Sequence, residues 1–255
     1  WVYANKSGDY VFDINESRGQ ESPSKMLANF GGFLHVDGYS VYPAVIDPDK
    51  VKIVACWAHA RRGFVDAGSS EKELAEKALE KIGKLFKLEE LGEKLDSEER
   101  RKLRMERAPP LLKDLRSWFE DTLPKLLPKG PLSGAIGYCL ARWDDLVRYV
   151  GDGRLEMTNN RSERAIRPFA VGRKNWNFVG TERGGRAAAI FYSLISTCKG
   201  RGIDARDYLF DAMLRLAEGG DPAKLTPCEW QRRYAAEFAE RRRFVAASVR
   251  LQASR

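Results

Sequence analysis

Between Trp1 and Trp57 the sequence reads hairpin, short helix, strand, strand, and that order constrains the fold more than any other feature of the chain. Trp1-Val-Tyr-Ala4 and Tyr10-Val-Phe-Asp-Ile14 are β-prone runs on either side of Lys6-Ser-Gly-Asp9, the pattern of a hairpin. Ser22-Pro23 followed by Lys25-Met-Leu-Ala-Asn-Phe30 predicts a short helix with Pro in its first turn, ended by Gly31-Gly32. Phe33-Leu-His-Val36 is a strand that stops at Asp37-Gly38-Tyr39, and Val51-Lys-Ile-Val-Ala-Cys-Trp57 is a second, apolar enough to be buried. That strand runs directly into a helical Ala58–Val65 segment. The expected class is α/β, a mixed sheet flanked by helices, in which strand ends are the usual place for a site.

From about Ser69 to Lys129 charges of both signs interleave, and Leu74, Ala78, Ile82 and Leu85 recur at helical spacing. Pro109-Pro110 is expected to break this pattern before Leu111, Leu115, Trp118, Phe119 and Leu123 resume it. The stretch reads as an inserted amphipathic helical module with a solvated charged face. Ser133 to Val150 continues as helix, with Ile136, Leu140, Trp143 and Val147 on one stripe. Gly185–Lys199 and Asp204–Glu218 are further helices, and a β-prone core, Trp176 to Val179, lies between glycine turns before them. The expected organisation is a first domain part over residues 1–68, a helical insertion over 69–132, a second domain part over 133–218 and a basic tail over 219–255.

With 255 residues, 43% of them apolar, the chain can fill a core. The formal charge of +8 favours a polyanionic partner. From Asn159 to Arg186 seven Arg or Lys face two Glu, and the tail from Gln231 holds seven Arg against two Glu. Cys56, Cys139, Cys198 and Cys228, with His35 and His59, show no zinc-ligand spacing, which predicts reduced, mostly buried thiols in a cytoplasmic protein. No apolar run is long enough to span a membrane, and no signal peptide is visible. Because the chain opens on Trp1 in a strand-like segment, it is expected to be a piece of a longer protein.

The chemistry concentrates in Thr158-Asn-Asn-Arg-Ser-Glu-Arg-Ala-Ile-Arg-Pro168. Thr158 is a candidate helix N-cap, and on a helix Asn160, Glu163 and Arg167 share one face. One acid among cations fits either an exposed, salt-bridged helix face or a site for a metal ion and a phosphate. A second acid in a matching setting weighs between them. Asp37, at a strand end and followed by Gly38, is either a plain turn or that acid. Together Asp37 and Glu163 are hard oxygen ligands suited to Mg²⁺ or Mn²⁺, and two such ions suit in-line phosphoryl displacement. Candidate phosphate contacts are Arg164, Arg167, Arg173 and Lys174, with Asn160 beside them. His59, Arg61 and Arg62 follow a buried strand and are candidates to approach the site, although His59 also fits a hydrogen-bonded core histidine. Trp176 fits either a core position or a base-stacking one.

Phe33-Leu-His-Val-Asp-Gly-Tyr39, Cys56-Trp-Ala-His-Ala-Arg-Arg62, Asn159–Pro168, Gly172-Arg-Lys-Asn-Trp176 and Tyr192-Ser-Leu-Ile195 occur together in order and spacing. With these motifs the chain resembles transposases of the bacterial insertion sequence 66 family over about residues 1 to 215. The resemblance implies a ribonuclease-H-like DDE domain, with Mg²⁺- or Mn²⁺-dependent DNA strand cleavage followed by attack of the freed 3′-hydroxyl on target DNA. It implies that Asp37 is the second acid and Glu163 the third, with a helical insertion between them, and that the protein works as a homo-oligomer on DNA. It also implies a first acid on a strand upstream of Trp1. Asp13 is on the wrong strand to replace it, so this chain alone is expected to bind DNA with little or no transposition activity. A non-catalytic DNA-binding remnant and a ribonuclease-H-like nuclease or resolvase are the alternatives.

Overall fold

The computed structural model describes residues 1–253 except 16, 18 and 176–180, and for 173–175 and 245–253 it describes the backbone alone. The β-prone core expected at Trp176–Val179, and the reading of Trp176 as a stacking residue, lie outside the described residues. The chain forms two compact units, one of Trp1–Ser17 with Arg161–Arg255 and one of Arg18–Asn160. It is mixed α/β and mostly helical, and among the described residues the strands make two separate two-stranded sheets.

The first unit begins with the expected hairpin. Strands β1 (Val2–Ala4) and β2 (Tyr10–Phe12) pair antiparallel with Ala4 opposite Tyr10. At the turn, Gly8 has φ +88° and its backbone lies so close to Gly200 that a Cβ would come within 2.5 Å of the Gly200 carbonyl oxygen.

The second unit follows in chain order. Helix α1 spans Glu21–Leu27, starting earlier than the sequence pattern suggested, with Pro23 near its start. Strand β3 (Gly32–Val36) leads through the short helix α2 (Tyr42–Val45) to β4 (Val51–Ala55), which pairs parallel to β3 with Val36 opposite Ala55. Trp57, expected in that strand, is instead the first residue of α3 (Trp57–Ala67). Its ring is fully buried, and its indole N–H donates to the Leu146 carbonyl at 2.8 Å.

Helix α4 (Lys72–Leu91) buries Ala75, Ala78, Ile82, Leu85 and Leu88, the stripe that its three- and four-residue spacing dictates. Helix α5 (Ser97–Thr122) starts with a full capping box between Asp96 and Glu99. It then runs straight through Pro109-Pro110, where a break was expected. Each proline removes the bond to the carbonyl four residues earlier, here Met105 and Glu106. Those two residues and both prolines face solvent, so water can take the freed carbonyls. Meanwhile Ala108, Leu112, Leu115 and Phe119 are buried on the other face and hold the helix together. Helices α6 (Pro131–Ala141) and α7 (Trp143–Val147) complete the unit. One core joins β4 and helices α3 to α7, with Phe64 and Phe119 stacked at 5.4 Å and Trp143 edge-on to both Trp57 and Phe119.

Returning to the first unit, α8 (Asn160–Asn175) is followed by α9 (Glu182–Gly200), which Thr181 caps. Among the described residues the outer edge of β2 has no strand beside it, and α9 supplies side chains there. The Ser193 and Thr197 hydroxyls accept the N–H groups of Phe12 and Tyr10 at 2.8 and 3.0 Å. Arg201 grips Asp9 through two hydrogen bonds, the first cause holding the Asp9 carboxyl below its ordinary value. Helices α10 (Ala205–Ala217), α11 (Pro227–Arg233) and α12 (Ala235–Ala253) enclose a smaller core of Cys198, Tyr208, Ala212 and Trp230. Several arginines of the basic tail are paired there: Arg232 and Arg233 with Glu229, Arg241 with Glu237, and Arg242 with Asp207. All four cysteines are free thiols, three of them buried. No helix among the described residues is long and apolar enough to cross a membrane.

Candidate active site

Asp37 follows directly on β3, whose last residue, Val36, is buried while Asp37 is exposed. Its Oδ1 accepts the Tyr39 N–H at 3.0 Å, the self-capping turn that a short acid makes two residues ahead. Gly38 adopts φ +89°, and a Cβ there would lie 2.4 Å from the Tyr138 hydroxyl oxygen. Only glycine fits both conditions. Two residues of the α6 end hold the turn in place. Tyr138 donates its hydroxyl to the Asp37 carbonyl at 3.3 Å, and Arg142 donates from Nη2 to the Gly38 carbonyl at 3.2 Å. The Arg142 guanidinium lies over the Tyr138 ring at 4.5 Å. Burial raises the Tyr138 phenol above its ordinary value, which keeps it a neutral donor. Sequence reasoning passed over both residues: their i, i+4 spacing is visible, but nothing local says which turn, about a hundred residues earlier, they meet.

The second element is the junction of β4 and α3. The Trp57 N–H donates to the Met157 carbonyl at 3.1 Å, and the Asn159 N–H donates to Cys56 Sγ at 3.3 Å. Burial works to raise the Cys56 thiol, but hydrogen bonding from His59 and from the Asn159 N–H outweighs it and holds the thiol below its ordinary value. The same segment is fixed from α5, where buried Arg104 pairs with Glu89 and donates to the carbonyls of Tyr149, Asp152 and Leu155. Arg61 and Arg62, further along α3, are exposed and have no carboxylate partner among the described residues.

The third element is α8. It begins at Asn160, so Thr158 stands two residues before the helix, and the buried Asn159 is the residue latched to Cys56. Glu163, Arg164 and Arg167 lie exposed within its first eight residues, and neither arginine has a carboxylate partner among the described residues. The side chains of Arg173 and Lys174 lie outside the described residues. Helix α8 also carries Pro168, which costs only the hydrogen bond to the carbonyl of exposed Arg164. Asp37, His59, Arg61 and Arg62 belong to the Arg18–Asn160 unit, together with Asn160 at its edge. Glu163, Arg164 and Arg167 belong to the other.

The Transposase IS66 family matches residues 1–187 of this chain, the stretch that contains all three elements. The chain belongs to that family. It is similar to three uncharacterized proteins of Sinorhizobium fredii (strain NBRC 101917 / NGR234). It is 32% identical to y4hP over 89% of this chain and 44% of that protein, and 34% identical to y4qI over 86% and 44%. Identity to y4jD is 31%, over 87% of this chain and 45% of the relative. The chain thus spans less than half the length of these relatives. No solved structure matches it.

For a chain of this family the state of the Asp37 carboxylate matters chemically. Among the described residues it accepts a single hydrogen bond, from Tyr39, and no cation pairs with it. It is therefore an exposed hard-oxygen donor with coordination capacity to spare, which fits a divalent cation of the Mg²⁺ type. A turn whose backbone is fixed by two side chains presents that donor in one orientation, as a metal ligand requires.

Proposed function

We propose that this chain carries part of the catalytic centre of a DNA transposase, a ribonuclease-H-like domain of the DDE type that cuts and joins DNA strands. The observation that carries the reading is the Asp37 turn. There an exposed carboxylate, with no cationic partner among the described residues, stands at the end of a parallel strand and is clamped from α6, in a chain of the transposase family. In this reading Asp37 and Glu163 hold Mg²⁺ or Mn²⁺, two ions, with a further acid from a strand upstream of Trp1. When bound, the ions activate a water or 3′-hydroxyl and stabilise the leaving oxygen of an in-line displacement.

The residues of the chain do the positioning. Exposed Arg164 and Arg167 on α8, and Arg61 and Arg62 on α3, have no carboxylate partner among the described residues and are available to DNA phosphates. Arg173 and Lys174 extend the same helix and take the same role. Asn160 and His59 assist at the DNA. The DNA partners are element ends and target, the working form is a homo-oligomer on DNA, and the setting is the bacterial cytoplasm.

Labelled element-end DNA with Mg²⁺ or Mn²⁺ tests this. Three proteins are compared: the present chain, the chain extended upstream by the matching segment of a longer relative, and the extended chain with Glu163→Gln. Strand transfer by the extended protein, abolished by Glu163→Gln, is the expected result, while the present chain binds DNA and transfers little or nothing. Full activity in Glu163→Gln would remove Glu163 from the site. Cleavage without joining would favour a ribonuclease-H-like nuclease.

A further inference from the structure

We infer that Arg142 contacts a DNA backbone phosphate beside Asp37, at an anion site formed by the end of α6 and the turn after β3. This rests on the transposase reading above and adds to it a residue that none of the sequence motifs contains. A guanidinium partly withdrawn from water needs its charge and its five donors met. Several other arginines in that position meet this need. Arg104 pairs with Glu89, Arg148 with Asp145, Arg201 with Asp9 and Arg215 with Asp211. Arg100 donates to four backbone carbonyls. Half-buried Arg142 has one hydrogen bond, to the Gly38 carbonyl, and one ring beneath it, with no carboxylate partner among the described residues.

The stacking on Tyr138 fixes the plane of the guanidinium, so its remaining donors are presented as a rigid fork, the geometry that matches phosphate. The position makes the charge more consequential. Arg142 holds the carbonyl of the residue after Asp37. In the transposase reading the Asp37 carboxylate is committed to a divalent cation. The turn then carries cationic charge on both sides, which suits the backbone of the strand being processed.

Binding of the present chain to a labelled DNA duplex across a salt series tests the inference, because each phosphate contact adds about 0.9 to the slope of log affinity against log salt. Arg142→Gln keeps a donor for the Gly38 carbonyl and loses the charge. It is expected to lower the slope by about 0.9 and to weaken binding most at low salt. Arg142→Lys keeps the charge and is expected to retain the slope. An unchanged slope in Arg142→Gln, with normal DNA binding by the parent chain, overturns the inference and leaves the transposase reading standing. Equal losses in the Gln and Lys variants also overturn it, because they assign Arg142 only to holding the turn. A parent chain that binds no DNA defeats both. If Arg142→Gln fails to fold, the unmutated chain gives the answer through arginine-directed phenylglyoxal labelling read by peptide mass. DNA is expected to protect Arg142, and equal labelling with and without DNA overturns the inference.

Discussion

Gly38 shows how one residue without a side chain controls where the Asp37 carboxylate points. Its φ of +89° is disfavoured for any residue with a Cβ, and the added carbon would meet the Tyr138 hydroxyl at 2.4 Å and the ring carbon Cε2 at 2.9 Å. Gly38→Ala is therefore expected to destabilise the chain by about 1–3 kcal/mol, read as a shift in the urea midpoint, and to weaken Mn²⁺ binding measured by titration. Removing the hydroxyl as well, in Gly38→Ala with Tyr138→Phe, leaves both the backbone strain and the close ring carbon. The double variant is expected to recover little. A neutral Gly38→Ala would mean that the turn does not hold this conformation in solution. The Asp-Gly pair at a strand end was legible from the sequence because an Asx turn is local chemistry. The residues that fix it were not, since Tyr138 and Arg142 reach the turn only through the packing of α6.

Among the secondary-structure elements, α5 is the one whose role is furthest from its appearance. Its charge-rich sequence suggests a solvated helix with a proline break, yet it runs unbroken and carries the fully buried Arg104. That guanidinium pairs with Glu89 of α4 and donates to three carbonyls between Tyr149 and Leu155, in the segment that leads to α8. Arg104→Met would leave the Glu89 carboxylate and the carbonyls without their donor, a loss of about 3–5 kcal/mol in chemical denaturation. Adding Glu89→Leu removes the stranded charge and is expected to restore part of that loss; a double variant no better than Arg104→Met would show that the cost lies in the carbonyls alone. The helical periodicity of α4 was plain in the sequence because Ala78, Ile82 and Leu85 repeat on one face. The continuity of α5 was not, since local propensity counts the two prolines and cannot count Leu112, Leu115 and Phe119 held in a core by other helices. The junction of β4 with α3 shows the same limit, with Trp57 read as strand although its ring and indole N–H are committed to α7.

Taken whole, the chain divides unequally with respect to folding. The Arg18–Asn160 unit is continuous in sequence, and among the described residues its core, from Val54 to Met157, is built from its own side chains. The other unit is discontinuous: β2 depends for its outer edge on Ser193 and Thr197, and the hairpin turn depends on Gly200 and Arg201. Residues 18–160 alone are therefore expected to unfold cooperatively, with a thermal transition by circular dichroism and a sloping urea curve of normal steepness. They also keep Asp37 and its clamp, so Tyr138→Phe is expected to destabilise this segment by about 1 kcal/mol, the worth of one hydrogen bond. Residues 161–255 alone lack the hairpin, which leaves the two α9 hydroxyls and Arg201 without their partners. They are expected to show weaker, broader melting, sharpened by adding a peptide of residues 1–17. If 18–160 instead melted without cooperativity while 161–255 folded unaided, the order of dependence drawn from the two cores would be reversed. The Asp37 clamp would then have to be attributed to the intact chain.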